Sequence, residues 1–469
     1  MNAGSTTPAS APKPERLLSL DVFRGATIAA MMLVNNPGDW NAVYKPLLHA
    51  EWHGWTFTDL VFPFFLWIVG VAIPLSTARR IEAGQSRREL FGHAVRRAAI
   101  LFGLGLFLNA FSYCIDGSLW HDGLAIWLHT LATNVRVPGV LQRIAVCYLA
   151  ACGVFLLTQR SQASARRQST VHSPQSTAQS LEPGAGSRES GGQEPAPALA
   201  SATQEQKACA RREPALRLGA AIVVLLAGYW ALMMLAPVPG DQAGVLEKGR
   251  NFSQYVDNLV LNGPTIGTHV WKGAKTWDPE GIVSTIPAIA TCLFGILTGQ
   301  LLRTRLSSEA KTAWMFTAGS LLLWAGQVMH FWLPINKNLW TSTYTVFMAG
   351  MALVCFAVCY WLIDVQGWRK WARPFAIYGM NAITVFVLSG VLGRLLAAIM
   401  VTNAAGKEVA LKTFLYDKLF APFTGPETAP CFGFLASPQN ASLMWALMYV
   451  LLLYLAAYVM YRKKWFVRF

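Results

Sequence analysis

Residues 57–78 read FTDLVFPFFLWIVGVAIPLSTA, an apolar run interrupted by a single carboxylate, Asp59. A helix rises 1.5 Å per residue, so a run of this length crosses the roughly 30 Å of hydrocarbon in a bilayer. Other windows of about 20 residues share this character. The predicted cores are 18–36, 57–78, 96–115, 139–158, 217–236, 282–302, 312–333, 341–363, 375–397 and 441–461. The sequence therefore predicts an all-α, polytopic membrane protein, a helical bundle of about ten transmembrane helices.

The composition supports a single membrane domain. Of the 469 residues, 54% are hydrophobic and only 13% are charged, whereas a soluble domain carries about 25% charged residues. An ordinary soluble enzyme and a disordered chain are both excluded by these values.

The net charge of +15 is explained by membrane topology. If the N-terminus is inside, the inside tails and short loops hold most of the basic residues: Lys13, Arg16, Arg79, Arg80, Arg87, Arg88, Arg96, Arg97, Arg303, Arg305, Lys311, Arg369, Lys370, Arg373, Arg462, Lys463, Lys464 and Arg468. The short outside loops hold only Lys45, Arg136 and Lys337. The positive-inside rule then places both termini in the cytoplasm, and no nucleic-acid partner is expected.

Four regions follow from the distribution of apolar and polar residues. Residues 1–16 form a polar, Pro-rich tail without the features of a signal peptide, expected to be disordered and cytoplasmic. Residues 17–158 contain the first four helices and a catalytic loop. Residues 159–215, rich in Ser, Gln, Ala, Pro and Gly, predict a disordered cytoplasmic linker. Residues 216–469 contain helices five to ten and long periplasmic loops.

The long outside segments carry most of the side chains able to do chemistry. Segments 37–56, 237–281 and 398–440 are rich in Trp, His, Asn, Asp and Pro, and loops this long in a compact bundle are usually functional. In the first of them, His49 precedes Asp59, which lies three residues into an apolar run. A carboxylate there should face the bundle interior and a partner, with His49 or Asn35 the nearest candidates. A histidine beside a carboxylate can move a proton near neutral pH.

Four other clusters hold polar residues near predicted spans. Arg143 either forms a structural ion pair with an acid such as Asp59 or binds an anionic group of a ligand. Asp278 and Glu280 either contact a substrate or mark the start of a helix, where the helix dipole favours acidic residues. Asn381, inside the ninth span, must hydrogen-bond to something, most simply a neighbouring helix. The candidates are Gln142 and Arg143, Asp278 and Glu280, Asn336, Lys337, Asn338 and Trp340 in an outer turn, and Asn381.

No metal site is expected from the sequence. His49 and His53 lack a third ligand at zinc spacing, and no HExxH motif is present. The eight cysteines also lack metal spacing. Cys114 and Cys431 both fall near the outer face, where a disulfide is compatible with the sequence but is not established by it.

Six ordered motifs resemble the family of heparan-alpha-glucosaminide N-acetyltransferase and its bacterial relatives. They are LLSLDVFRG, HAEWHGWTFTDLVFPFFLWIVG, PGVLQRIAV, WDPEGIVSTI, LPINKNLWTSTY and YGMNAI. The long linker and the lack of a large lumenal N-terminal domain are departures, so the resemblance covers the membrane core alone. It implies a membrane-embedded acetyltransferase that passes the acetyl group of cytosolic acetyl-CoA to the amine of a terminal glucosamine across the membrane. For this chain it implies a multi-pass protein of the bacterial inner (cytoplasmic) membrane.

The resemblance also implies roles for individual residues. His49 matches the family's active histidine, whereas His53 stands where the family has Asn. Asn35 resembles the family's active-site asparagine, with Asn36 as the alternative because the spacing to His49 is longer here. Asp59 resembles the family's carboxylate. His49 would be a general base or would accept the acetyl group itself, so direct and ping-pong transfer both stay open. The substrate-binding or acetyl-CoA-binding candidates are Asn36, Trp52, Gln142, Arg143, Asp278, Glu280, Lys337, Asn338 and Asn381.

The expected partners are acetyl-CoA as co-substrate, an amino sugar or glycan acceptor and the lipid bilayer, with no metal. A homodimer is compatible with the reported dimers of the family. Two alternatives compete: a permease or sugar-uptake accessory protein without a covalent step, and an O-acyltransferase acting on envelope polysaccharide. The phosphates of CoA should lie near cytoplasmic basic residues, among which Arg79, Arg80, Arg87 and Arg88 are equal candidates.

Overall fold

The computed structural model describes residues 17–115, 118–159, 197–264, 266–273, 276–403, 405–424 and 437–467, with the backbone alone for residues 78, 79, 82, 118, 197–212 and 423. Fifteen helices are described: α1 (Leu18–Asn35), α2 (Phe57–Glu82), α3 (Arg87–Ile115), α4 (Ser118–Asp122), α5 (Leu124–Asn134), α6 (Val140–Thr158), α7 (Pro197–Leu235), α8 (Phe252–Leu261), α9 (Thr285–Leu302), α10 (Ser308–Met329), α11 (Ser342–Tyr360), α12 (Arg373–Met380), α13 (Ala382–Ala398), α14 (Leu411–Leu419) and α15 (Pro438–Arg462). The predicted all-α polytopic fold is confirmed.

Strands contribute little to the described part of the chain. β1 (Asn262–Gly263) pairs antiparallel with β2 (Gly267–Thr268), and β3 (Met400–Thr402) with β4 (Glu408–Ala410). Single-turn helices cover Lys45–Leu47 and Ala421–Phe423, and a π-helical turn, Trp361–Val365, continues α11. The hairpins lie in the long loops, so the bundle itself is helical.

Eight described helices are long and apolar enough to cross a membrane, and α12 with α13, bent by 79° at their junction, gives a ninth span when the pair is counted as one. The remaining predicted window, 312–333, falls on α10, which is 22 residues long but less apolar. Helix α7 begins at Pro197, inside the C-terminal end of the stretch predicted as linker. The rest of that stretch, residues 160–196, lies outside the described residues, as do the predicted tail, residues 1–16, and Cys431.

The two ends of the described chain meet at one end of the bundle, which we call the inner end. The Ser19 N–H donates to Asp364 at 3.3 Å, and the Val467 N–H donates to the side-chain oxygen of Asn381 at 3.3 Å. Arg24, Asn381 and Val467 line one cavity there. Ends on the same side imply an even number of crossings, which agrees with the ten predicted spans when the bent pair and α10 are each counted as one crossing. Which compartment the inner end faces stays a prediction from the positive charges.

Helices α2 and α9 cross at glycines that allow their backbones to touch. A Cβ atom at Gly70 would lie 2.0 Å from the Cys292 carbonyl oxygen, and one at Gly295 would lie 2.1 Å from that of Trp67. Small residues at such crossings are typical of membrane bundles, where van der Waals packing holds helices together. This crossing fixes the start of α2 relative to the segment before α9, and both carry site residues.

Candidate active site

Asp59 lies in the first turn of α2, at the end of the bundle opposite the inner end, which we call the outer end. Its side chain is 1% exposed and is held by several donors. One carboxylate oxygen accepts the Ala50 N–H at 3.1 Å and the Thr56 N–H at 3.0 Å, together with the Thr56 hydroxyl at 3.1 Å. The other oxygen lies 2.7 Å from His49 Nδ1. The carboxylate therefore folds the preceding loop over the helix start, where negative charge is favoured.

His49 and Asp59 are brought together as the sequence predicted. The His49 side chain is 51% exposed, so one edge of the ring faces outward while Nδ1 faces the buried carboxylate. With Asp59 ionised, Nδ1 carries the proton and Nε2 carries the lone pair. This is the arrangement that a general base or a nucleophilic imidazole requires.

Lys337 completes the cluster. Its Nζ lies 2.9 Å from Nδ1 and 3.2 Å from Nε2 of His49, and 3.5 Å from a carboxylate oxygen of Asp59. Burial lowers the pKa of Lys337, while the charges of Asp59 and Glu280 oppose that shift. The sequence named Lys337 as a substrate-binding candidate, and the structure places it against the histidine.

Buried hydrogen bonds hold the turn that carries Lys337. Asn336 is fully buried and accepts the Leu339 N–H at 2.9 Å, and Trp340 adopts a left-handed backbone with φ of 52°. Thr341 caps α11 by accepting the Tyr344 N–H. The Tyr344 hydroxyl donates to the Asp59 carbonyl at 2.6 Å, tying the start of α11 to the start of α2.

A second ionic cluster joins Arg136 to Asp278 and Glu280. Arg136 Nε donates to Asp278 at 2.7 Å, and another guanidinium nitrogen reaches both Asp278 and Glu280. Burial lowers the pKa of Arg136, but Glu280 and Asp278 outweigh that effect and raise it. Burial raises the pKa of Asp278 despite the opposing Arg136 hydrogen bond. Arg136, an outer-loop residue that sequence analysis treated only as a topological charge, is therefore the partner of both predicted acids.

Arg143 makes no ion pair with Asp59 among its described contacts, and its binding of an anionic ligand group stays a prediction. It is 2% exposed and donates to the Gly281 carbonyl at 3.1 Å and to the Ser284 hydroxyl. Its guanidinium carbon lies 5.1 Å from the centre of the Trp340 ring. Arg143 therefore contacts both the segment before α9 and the turn that carries Lys337.

Asn35 and Asn36 line a separate cavity at the outer end, with a volume of about 440 Å³. Of the two candidate partners of Asp59, the structure places His49 against the carboxylate, and no described contact joins Asn35 to it. The Asn36 amide donates to the Met32 carbonyl at 2.9 Å. Gln142 also lines this cavity, is 4% exposed, and its amide nitrogen has no hydrogen-bond partner. The cavity walls also include Arg136 and two basic residues that sequence analysis missed, Arg394 and Lys412.

Two cavities of about 390 and 410 Å³ occupy the inner half of the bundle. Both are lined by Arg80, Arg97 and Tyr148, and the Arg97 guanidinium lies 5.2 Å from the centre of the Tyr148 ring. Leu141 lines both the larger inner cavity and the outer cavity. Leu141 therefore belongs to the wall of both a basic inner cavity and a polar outer one.

The remaining candidates lie in different places. Asn381 sits at the break between α12 and α13 at the inner end, where it accepts the Val467 N–H and its amide nitrogen has no partner. It is thus at a helix break, not inside a continuous span. The Trp52 indole donates to the Leu246 carbonyl at 2.9 Å and packs edge-on against Trp277. Asn338 is half-buried next to Lys337.

Among the described residues, no group of three or more His, Cys, Asp or Glu side chains is placed to hold a metal ion. The fold and the site together define a polytopic membrane protein with a His–Asp–Lys cluster at its outer end. Residues 16–167 match the family model described as heparan-alpha-glucosaminide N-acetyltransferase, catalytic.

Two curated relatives carry the same description. The chain is 28% identical to the human heparan-alpha-glucosaminide N-acetyltransferase over 401 residues, covering 80% of this chain and 52% of the relative. It is 28% identical to the mouse protein over 399 residues, covering 79% and 53%. The chain thus spans about half the length of the curated relatives it matches. Both comparisons confirm the family resemblance predicted from the motifs, and the family match includes His49 and Asp59.

Proposed function

We propose that this protein is a transmembrane acetyltransferase that moves the acetyl group of acetyl-CoA from the cytoplasm to an amino sugar of glucosamine type, or to a glycan bearing one, on the periplasmic side of a bacterial inner membrane. The observation that carries the proposal is the half-exposed imidazole of His49, 2.7 Å from a carboxylate that is 1% exposed. The relatives, each described as a glucosaminide N-acetyltransferase, supply the substrate class.

The chemistry follows from the orientation of the ring. Asp59 keeps the ring proton on Nδ1, so Nε2 has a lone pair that can accept a proton or attack a thioester. In direct transfer, the sugar amine attacks the thioester carbon, Nε2 takes the proton from the nitrogen, the C–N bond forms and the C–S bond breaks. In the ping-pong version, Nε2 itself attacks the thioester and then passes the acetyl group to the amine. In both versions the departing thiolate takes up a proton to leave CoA.

The cavities support a route for the acyl donor. Arg80 and Arg97 would hold the phosphates of CoA, since guanidinium groups suit phosphate oxygens. The apolar walls formed by Phe65, Ile68 and Ile144 suit the pantetheine arm. Displacement of Leu141 would open this route into the outer cavity. There the amide of Gln142, together with Asn35, is available to contact a substrate.

Two ionic clusters connect that cavity to the histidine. Arg136 lines the outer cavity and pairs with Glu280, whose charge acts on Lys337 beside His49. We therefore assign a structural role to four residues that lie between the histidine cluster and the outer cavity. We call them the ionic wall: Arg136, Arg143, Asp278 and Glu280. Asn35 and Asn36 are assigned to substrate contact within the cavity.

The test compares two histidines of one loop. Purified wild-type protein in proteoliposomes should transfer labelled acetyl groups from acetyl-CoA to glucosamine, and mass spectrometry should identify an N-acetylated product. His49→Ala should lower the rate of acetyl transfer by at least about 100-fold, because general-base catalysis typically raises a rate by about 10²–10⁴-fold. His53→Ala, in the same loop but placed near Asn336 at 3.4 Å, is the matched control and should retain the rate.

Three results would redirect the proposal. Transfer retained in His49→Ala would remove the histidine from its role. An O-acetylated product would favour the polysaccharide O-acyltransferase. Sugar uptake by wild-type vesicles without any acetylated product would favour the permease.

A further inference from the structure

The span formed by α12 and α13 is broken where it borders the inner cavity of about 410 Å³. The two helices meet at an angle of 79° around Asn381, and residues 379–383 line that cavity. The start of α13 therefore borders a cavity instead of continuing a straight helix. In transporters, half-helices that begin inside the membrane direct their N-termini at anionic groups of a substrate.

The start of α13 offers hydrogen-bond donors to such a group. The Asn381 carbonyl accepts the Val385 N–H at 3.0 Å, and the Asn381 side chain makes no capping hydrogen bond. The N–H groups of a first helical turn have no partner within the helix, and the helix dipole adds partial positive charge there. A helix start of this kind binds phosphate oxygens.

A buried amide at the same place also lacks a partner. Asn381 is 2% exposed and lines the cavity. Its oxygen accepts the Val467 N–H at 3.3 Å, and its amide nitrogen has no hydrogen-bond partner. An unpaired buried donor is costly, so a ligand that accepts from this NH2 group would be favoured. The amide therefore indicates an acceptor ligand independently of the helix start.

The walls around this site are basic. Arg24, Arg80 and Arg97 line the cavity, and none of its described lining residues is an Asp or a Glu. Arg24 donates to the Gly379 carbonyl at 3.4 Å and to Asp21 at 3.1 Å, which places its guanidinium beside the last turn of α12. Backbone contact between α1 and α12 supports this arrangement, since a Cβ atom at Gly379 would lie 2.0 Å from the Asp21 carbonyl oxygen. The cavity thus has a positively charged side that matches an anion.

We infer that the start of α13, with the amide of Asn381 and the guanidinium of Arg24, is the subsite for the diphosphate of CoA. The inference rests on the proposed acetyl transfer and names the part of the acyl donor that these residues recognise. The same cavity has the apolar walls that suit the pantetheine arm, and the diphosphate is the group to which that arm is joined.

The second inner cavity is left for the other end of the nucleotide. Arg96 and His93 line that cavity and not the first one, so they are placed to meet the 3′-phosphate. Arg80 and Arg97 line both cavities and lie between the two phosphate positions. The diphosphate and the 3′-phosphate should therefore depend on different residues.

The test measures binding instead of transfer, with three probes that share the pantetheine arm. CoA carries the diphosphate and the 3′-phosphate, dephospho-CoA carries the diphosphate alone, and pantetheine carries neither. Asn381→Asp keeps an oxygen for the Val467 N–H but replaces the NH2 donors with negative charge. Calorimetry on the whole chain in detergent should show CoA and dephospho-CoA weakened by the same factor, about 10–100-fold, the range for losing a hydrogen bond to a charged group. Pantetheine should bind this variant as it binds wild type.

Three further variants separate the subsite from general damage. Arg24→Gln removes the guanidinium and should give the same pattern as Asn381→Asp. Arg96→Gln, in the second inner cavity, should weaken CoA and leave dephospho-CoA unchanged. Asn258→Asp places the same new charge on an exposed residue of α8, where it can still accept from Asn262, and should bind every probe as wild type does.

Wild-type affinity for CoA in both Asn381→Asp and Arg24→Gln would overturn the inference. An equal loss of pantetheine in both variants would also overturn it, because the cavity and not a phosphate contact would then be damaged. A larger loss of CoA than of dephospho-CoA would place the 3′-phosphate at α13 instead. Binding of phosphatidylglycerol that is lost in Asn381→Asp while CoA binding is kept would assign the subsite to a lipid headgroup. If wild type shows the expected binding pattern but transfers no acetyl group, the proposed function fails and the subsite stands.

Discussion

Replacing Asp59 with Asn tests whether the carboxylate acts by fixing the proton on the histidine ring. One oxygen of Asp59 accepts from the Ala50 N–H, the Thr56 N–H and the Thr56 hydroxyl, and the other faces His49 Nδ1. In Asp59→Asn, the amide carbonyl should turn toward the three donors, which leaves the NH2 group facing Nδ1. Nδ1 must then accept a hydrogen bond, so the ring proton moves to Nε2.

The size of the effect follows from that change of tautomer. With Nε2 protonated, the nitrogen that faces the reaction has no lone pair. The corresponding replacement in a Ser–His–Asp triad costs about 10⁴-fold in rate, and general-base catalysis as a whole contributes at least about 10²-fold. We therefore expect Asp59→Asn to lower the rate of acetyl transfer by 10²–10⁴-fold while the loop hydrogen bonds persist.

Asp59→Ala is the matched comparison, because it removes the same charge and also the three loop hydrogen bonds. A buried donor without a partner costs about 1–3 kcal/mol, so Asp59→Ala should lower the melting temperature more than Asp59→Asn does. Rates are measured in proteoliposomes with labelled acetyl-CoA, and melting by intrinsic fluorescence in detergent. If Asp59→Asn transfers within about fivefold of wild type, the orientation of the ring by Asp59 is refuted.

The two remaining predictions concern the ionic wall beside the site. Arg136→Met leaves Asp278, which is 0% exposed, and Glu280, 11% exposed, without their shared partner, and breaking such a buried pair typically costs about 3–5 kcal/mol. The melting temperature of Arg136→Met should therefore fall. Arg250→Met, which removes an exposed pair with Asp241 and Glu247, is the control and should melt like wild type. Equal melting temperatures of the two variants would contradict the assignment of Arg136 to the ionic wall. Burial raises the pKa of Asp257 to about 6, above its ordinary 3.8, so the folded state binds this proton more tightly and stability should fall as the pH rises from about 4 to about 6. Asp257→Asn should abolish that part of the pH dependence in melts, and an unchanged slope would exclude Asp257 as its source.

The sequence predicted the parts of the site that lie close together along the chain. His49 and Asp59 are ten residues apart, and the apolar run after Asp59 indicated that the carboxylate would turn inward. Lys337, 288 residues from His49, was a candidate because of its motif, but nothing in its surroundings along the chain indicated contact with the ring. Such a contact depends on how α2 and α11 pack, which local pattern does not specify.

The differences between prediction and structure have local causes. Asn381 was expected inside a continuous span because hydropathy averages over a window and does not detect a break of 79°. Asn35 was a candidate partner of Asp59 because it is close in sequence, but the segment that follows it turns at Lys45–Leu47 and brings His49 to the carboxylate. Arg394 and Lys412 lie in or near apolar segments, and only the packing of α13 and α14 brings them to the outer cavity.

The charges at the outer end alternate in sign along a path from the histidine to the cavity. Asp59 faces Lys337, Glu280 acts on Lys337 and binds Arg136, and Arg136 binds Asp278 while it lines the outer cavity. Because each ion shares its partner with the next, a change at the cavity wall alters the field at the imidazole without touching it.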